Sequence, residues 1–233
     1  MRFSGAELVR CVFIGTLCAC ALTAGPVASF PLAAAGPLPP SSEDPEEVLR
    51  QLARAYDGLE DAVIRFTRQV RFGAGRLEQT HKGVLWLKKG NMRRLETEER
   101  TIVTDGRTVW SYSPLTRQVM IDDFRPDAPF ASPDRILGEA PGNYDGTVLG
   151  RERLGNTPVI LIKLTPRDEA HGAFPMRLWV DPHRWMILKA EVREDTDRVV
   201  LYTADEIRTD TGLEDARFRY VPPDGAEIVD LRR

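Results

Sequence analysis

Between Val48 and Leu59, apolar residues recur three and four positions apart: Val48, Leu49, Leu52, Ala53, Tyr56 and Leu59. That spacing places them on one face of a helix. Ser42, Glu43 and Asp44 precede Pro45-Glu46-Glu47, which supplies a capping side chain, a first-turn proline and acids at the positive end of the helix. The pattern predicts one amphipathic helix from Pro45 to about Asp57, stopped by Gly58. After it the period falls to two. Ile64, Phe66, Val70 and Phe72 share one side of a strand, opposite Arg65, Thr67, Gln69 and Arg71. Gly73-Ala74-Gly75 turns the chain into a second strand over 77–87. Segments 101–104 and 108–113 flank Asp105-Gly106, a strong hairpin signal, and 119–121 follows after the turn at Ser113-Pro114. Further strands are predicted at 147–154, 159–165, 174–180, 186–194 and 199–207. In 186–194, Met186, Leu188, Ala190 and Val192 alternate with Ile187, Lys189, Glu191 and Arg193.

Ten or eleven strands joined by short turns give an antiparallel sheet, because parallel neighbours need long crossovers. A single sheet of that length has to curl. Its apolar side needs a cover, and two candidates are visible. One is the N-terminal helix. The other is a Pro-rich loop over 126–141 with a short helix at 134–137. No repeat of fixed period is present. The expected fold is therefore mainly β with a few helices.

Composition narrows the class. The 233 residues are 42% hydrophobic and 29% charged, with a net charge of −3, which suits one domain with a sizeable core. The charge lacks the basic excess of a dedicated nucleic-acid binder. All three cysteines, Cys11, Cys18 and Cys20, lie in the first twenty residues. There, Arg2 and Arg10 precede an apolar run from Cys11 to about Leu22, and small residues and prolines follow. This is the order of a secretory signal, and the run is shorter than the roughly 20 residues of a membrane-spanning helix. Residues 1–35 are assigned to a signal peptide with its cleavage zone, 36–44 to a linker and 45–233 to the body. Cleavage after Ser29 or Ala35 fits. In a second reading of the same residues, Leu17-Cys18-Ala19-Cys20 is a lipobox and Cys20 carries lipid.

Catalytic and metal chemistry has no visible basis. His81, His171 and His183 are far apart and unpaired at ligand spacing, and read as surface or strand histidines. No nucleophile elbow, zinc-protease or phosphate-loop motif occurs. Glu96, Glu98 and Glu99 read as a solvated face. No enzyme activity, cofactor or metal is expected.

Four segments in register then carry a resemblance. They are Phe66-Thr67-Arg68-Gln69, Gly83-Val84-Leu85-Trp86-Leu87-Lys88-Lys89, the run from Thr101 through Asp105-Gly106 and Trp110 to Pro114, and Phe218-Arg219-Tyr220-Val221-Pro222-Pro223-Asp224-Gly225. Together they resemble the periplasmic outer-membrane lipoprotein carrier family, LolA. The resemblance implies an unclosed, strongly curved antiparallel sheet, a half-barrel covered by the N-terminal helix and a helical loop lid. It implies a periplasmic monomer, freed by signal-peptide cleavage, that carries acylated lipoproteins. Its partners would be an inner-membrane ABC-type release complex and an outer-membrane receptor, with no nucleic acid. A membrane-anchored lipoprotein acceptor or envelope-lipid sensor on the same sheet is the alternative, and a structural protein with a packed groove is a third. The lipid cavity would be lined by Ile64, Phe66, Val70, Leu85, Leu87, Met92 and Leu95. At Lys89 the sequence departs from the family, which has an arginine there tying lid to sheet. Lys89 is read either as a lid latch or as a solvated strand-end lysine, and lysine lacks the planar fork of arginine.

Overall fold

The computed structural model describes residues 43–73, 76–125, 144–167, 174–194 and 198–232. The signal region, residues 36–42 of the linker and the Pro-rich loop with its expected helix lie outside the described residues. Helix α1 spans Pro45–Gly58, as its pattern predicts, and the Asp44 carboxylate accepts from the Glu46 amide at 3.0 Å. Val48, Leu49 and Leu52 are its buried face. The helix lies close against the sheet at Gly146, where a Cβ would stand 3.0 Å from Pro45 and 3.6 Å from Leu49.

Twelve strands form one sheet: β1 (Asp61–Phe72), β2 (Arg76–Lys88), β3 (Met92–Thr97), β4 (Thr101–Asp105), β5 (Thr108–Ser113), β6 (Gln118–Asp123), β7 (Tyr144–Leu154), β8 (Thr157–Pro166), β9 (Met176–Asp181), β10 (Met186–Arg193), β11 (Arg198–Thr209) and β12 (Glu227–Asp230). The order across it is β12-β6-β5-β4-β3-β2-β1-β11-β10-β9-β8-β7. Strands β1 to β6 step outward from the centre, and β7 to β11 step inward from the opposite edge until β11 meets β1. The edges β12 and β7 do not pair, so the sheet is unclosed. Register shifts at Arg65/Phe66, Val148/Gly150 and Ile187/Lys189 mark bulges. Each bulge bends its strand and raises the local twist, which curves the sheet. The last of them breaks the alternation expected in 186–194. Leu188 is the extra residue, so Ile187 before it and Ala190 after it join the same core cluster.

One pairing is not antiparallel. Strand β12 runs parallel to β6, with Ile228 opposite Val119. It arrives after a long segment, 210–226, that crosses the face of the sheet opposite α1. This crossing also corrects the expectation that only the helix and the Pro-rich loop could cover apolar surface. Val63, Trp86, Arg94, Val103 and Trp110 stand directly opposite one another across β1 to β5 and so share a face. A 3₁₀ turn, Asp215–Phe218, lies against β3 and β4 with Phe218 fully buried. The Arg217 guanidinium sits 5.3 Å over the Trp86 ring, and Arg94 donates to the Arg217 carbonyl at 3.2 Å. Tyr220 stacks obliquely on Tyr112, ring centres 6.3 Å apart.

This strap is anchored at Asp61, whose residue is only 3% exposed. One carboxylate oxygen accepts from the Thr211 amide and hydroxyl, both at 2.7 Å, and the other from the Gly212 and Leu213 amides at 2.8 and 2.9 Å. Opposite Asp61 in β2, the Lys88 ammonium donates to the Leu213 carbonyl at 2.5 Å and to Asp215 at 2.6 Å. Burial pushes the Asp61 carboxyl up, but its hydrogen bonds from Thr211, Leu213 and Gly212 outweigh that and hold it below the usual carboxylate range. Stability from a depressed carboxyl is complete above its unfolded pKa and is lost as pH falls through the folded one. Asp61→Asn should therefore cost about 1–3 kcal/mol in a urea melt at neutral pH, because an amide leaves buried donors unpaired. The gap between the two proteins should narrow below about pH 4, and a gap that widens in acid contradicts this account.

A second close approach shapes the other face. Phe66 stands directly opposite Gly83, and a Cβ on Gly83 would lie 2.5 Å from the ring and 2.9 Å from the Glu96 carbonyl. The missing side chain lets the ring lie along the sheet. Gly83→Ala is expected to lower stability by about 1–3 kcal/mol through overpacking, with unchanged stability in a urea melt counting against it.

Candidate functional site

A cavity of about 390 Å³ opens on the α1 face, between the two halves of the sheet. Its wall is assembled from distant parts of the chain because β1 and β11 pair at the centre. Ile64 and Phe66 on β1 contribute with Leu85 on β2, Leu95 on β3 and Ile102 on β4. From the other half come Ile187, Ala190 and Val192 on β10, with Tyr202 and Ala204 on β11. The Phe66 and Tyr202 rings meet at 6.2 Å across the β1–β11 seam. Tyr56 packs against the core clusters of both halves, and its hydroxyl accepts from the Ile187 amide at 3.3 Å, beside the β10 bulge. The helix is thus pinned where the wall changes from one half to the other. The lining is mainly apolar, and it suits contact without direction rather than bond-making chemistry.

Of the residues expected here, Ile64, Phe66, Leu85 and Leu95 line the cavity. Leu87 is buried in the cluster with Ala62, Ile64 and Leu85, just beyond the lining. Val70 is fully buried further along β1, and Met92 is half-buried at the start of β3. Lys89 is half-exposed at the end of β2. It follows the last residue of β2, so strand alternation does not carry its side chain to the cavity, and its ammonium pairs with the Glu60 carboxylate at an exposed position. The lysine that reaches a backbone carbonyl is its neighbour Lys88, on the strap face.

One end of the cavity is charged. Arg68, Glu99, Arg100 and Glu194 line it with Thr97. The Arg68 side chain is 20% exposed, and its nearest carboxylate among the described residues, Glu99, is 4.0 Å away. Glu99 lies nearer His81, at 3.4 Å, and His81 stands directly opposite Arg68 with its side chain 16% exposed. Glu194 is engaged by Arg198 at 2.9 Å. The strand reading of His81 fits this placement, while Glu99 is not simply part of a solvated face. Arg68 was missed as chemistry, although a signal existed: it is the single charge in the otherwise apolar row Ile64, Phe66, Arg68, Val70, Phe72. His183 lies in the β9–β10 turn, where its amide donates to Asp181 at 2.9 Å, and His171 lies outside the described residues. Among the described residues, no three His, Cys, Asp or Glu side chains gather as a metal site, and no helix is long and apolar enough to cross a membrane.

Comparison with known proteins agrees with this geometry. Two curated relatives are both named outer-membrane lipoprotein carrier protein. That from Histophilus somni (strain 129Pt) is 26% identical over 174 residues, covering 72% of this chain and 80% of its own length. That from Edwardsiella ictaluri (strain 93-146) is 28% identical over 175 residues with the same coverage. Among solved structures, an uncharacterized conserved protein from Thermus thermophilus superposes with a TM-score of 0.51 at 19% identity, covering 81% of this chain and 98% of that one. The family model described as outer membrane lipoprotein carrier protein LolA matches residues 57–221, from the end of α1 to beyond the 3₁₀ turn, and this chain belongs to that family.

Proposed function

We propose that this protein is a periplasmic carrier that shields the acyl chains of lipoproteins between the inner and outer membranes. The observation that supports it most is the apolar cavity between the two halves of the sheet, lined by Ile64, Phe66, Leu85 and Ala204. Each methylene withdrawn from water contributes roughly 0.8 kcal/mol, so an acylated protein cannot cross an aqueous space without such a container. Contacts with a wall of this kind depend on area and not on sequence, which suits a varied cargo. Residues 1–35 would export the chain and be removed. Loading from an ABC-type release complex and delivery to an outer-membrane receptor would complete the route, with the protein acting as a monomer and without catalysis.

Lipoproteins should co-purify with the protein from periplasm. Ala204→Trp, which puts an indole into the cavity, should reduce that yield about tenfold or more at matched stability, since the wall then has no room for a chain. Equal cargo on the two proteins counts against the cavity as the binding site. The Leu17-Cys18-Ala19-Cys20 run keeps a second reading, an anchored acceptor or lipid sensor. Intact mass of the protein from its native host separates the two. A start at Phe30 or Gly36 is expected, and a diacylglyceryl group on Cys20 overturns the soluble carrier.

A further inference from the structure

We infer that the cavity distinguishes among amphiphiles by charge: Arg68 forms a site for an anionic head, carboxylate or phosphate, on a chain lying along the apolar wall. The inference rests on the reading of the cavity as an acyl-chain site and specifies its ligand class further.

The argument begins with the guanidinium. Arginine presents five donors in a planar fork matched to the oxygens of a carboxylate or phosphate. Among the described residues the Arg68 guanidinium makes no hydrogen bond, and its nearest carboxylate oxygen is at 4.0 Å. Three other arginines show the contrast: Arg94 is occupied by Glu96 at 2.6 Å, Arg50 by Glu47 at 2.7 Å and Arg198 by Glu194 at 2.9 Å. Among the described residues, Arg68 combines an unspent fork with a place in the cavity wall beside Phe66, and four-fifths of its side chain is removed from solvent.

The surroundings favour an anion over a neutral polar head. Glu99, the nearest acid that could neutralise Arg68, lies closer to His81. Both ring nitrogens of His81 are buried without a hydrogen bond among the described residues. Glu194 is bound to Arg198, and Arg100 adds a second, more exposed cation at the same end. The Lys189 ammonium is spent elsewhere, 4.2 Å over the Trp179 ring. A fully acylated cysteine, with ester, thioether and amide links, carries no charge. The Arg68 site therefore adds a class of ligand, anionic amphiphiles, to the neutral acyl cargo.

The test uses three ligands with one chain: oleate, oleyl phosphate and oleyl alcohol, each displacing an environment-sensitive fluorophore from the exported protein. The two anions should bind roughly tenfold to a hundredfold more tightly than the alcohol, the span of a charge-assisted hydrogen bond in a partly dry site. Arg68→Gln should close that gap. Glu99→Gln, a change at a half-exposed side chain, should widen it by removing the competing acid. Equal affinities in the wild type, a gap that survives Arg68→Gln, or a gap unmoved or narrowed by Glu99→Gln overturns the inference and leaves the acyl-chain site standing. Failure of all three ligands to bind a folded sample overturns both. Oleate and oleyl phosphate ranked apart from each other, with only one above the alcohol, confines the site to that head.

Discussion

The carboxylate of Asp61 stands where the central strand begins, and the four hydrogen bonds it accepts from Thr211, Gly212 and Leu213 tie the C-terminal segment to one face of the sheet. A sheet with apolar residues on both faces has two surfaces to protect, and this contact determines which is closed. The Lys88 ammonium reinforces it from the neighbouring strand. With the strap held down, Phe218 is buried against β3 and β4, and Trp86 and Val103 lie beneath it. An uncompensated carboxylate at such a depth would cost several kcal/mol, and the four donors of the turn that converge on it offset that cost. The opposite face is thereby left to the helix and the cavity.

Much of this architecture was legible in the chain. Helix α1 was visible from its capping residues and its three- and four-residue spacing. The β1, β4 and β5 strands were visible from alternation and from the turn at Asp105-Gly106. The strap was not, and the reason is physical. Its stability comes from tertiary contacts of Phe218, Arg217 and Tyr220 with strands more than a hundred residues earlier, and the segment has no periodicity of its own. Strand β12 was hidden for the same reason: four residues paired parallel to β6 have too little pattern to register. The 186–194 run shows the converse failure. Its alternation is the cleanest in the sequence, yet the bulge at Leu188 puts Ile187, from the opposite side of the expected pattern, in the same core cluster as Ala190.

The site was legible in proportion to its dependence on strand parity. Ile64, Phe66 and Leu85 reach the cavity because alternation within paired strands fixes their face, whereas Leu95 sits on β3, a strand the periodicity did not reveal. The half contributed by β10 and β11 could not be assigned without knowing that β11 lies beside β1. Lys89 illustrates the limit: it stands one residue past β2, and its ammonium goes to the Glu60 carboxylate. Arg68 shows that a charge can be as informative as an apolar residue when it interrupts an apolar row.

These features bear on why the cavity persists. A groove of about 390 Å³ leaves unfilled an apolar wall that a packed core would bury, and this costs stability. The wall cannot collapse to avoid this, because it is the face of a continuous hydrogen-bonded sheet whose curvature is set by bulges on β7, β10 and β11. Under the carrier reading, the charged end formed by Arg68, Glu99 and Glu194 bears on release. Entry of an acyl chain returns poorly bonded water from the apolar wall to bulk, which drives binding. The same water must come back when the chain leaves. A wall that was apolar throughout would hold its ligand too firmly for a carrier. On the proposed reading, a charged end offers returning water polar groups, so the residues argued to favour an anionic head would also ease release.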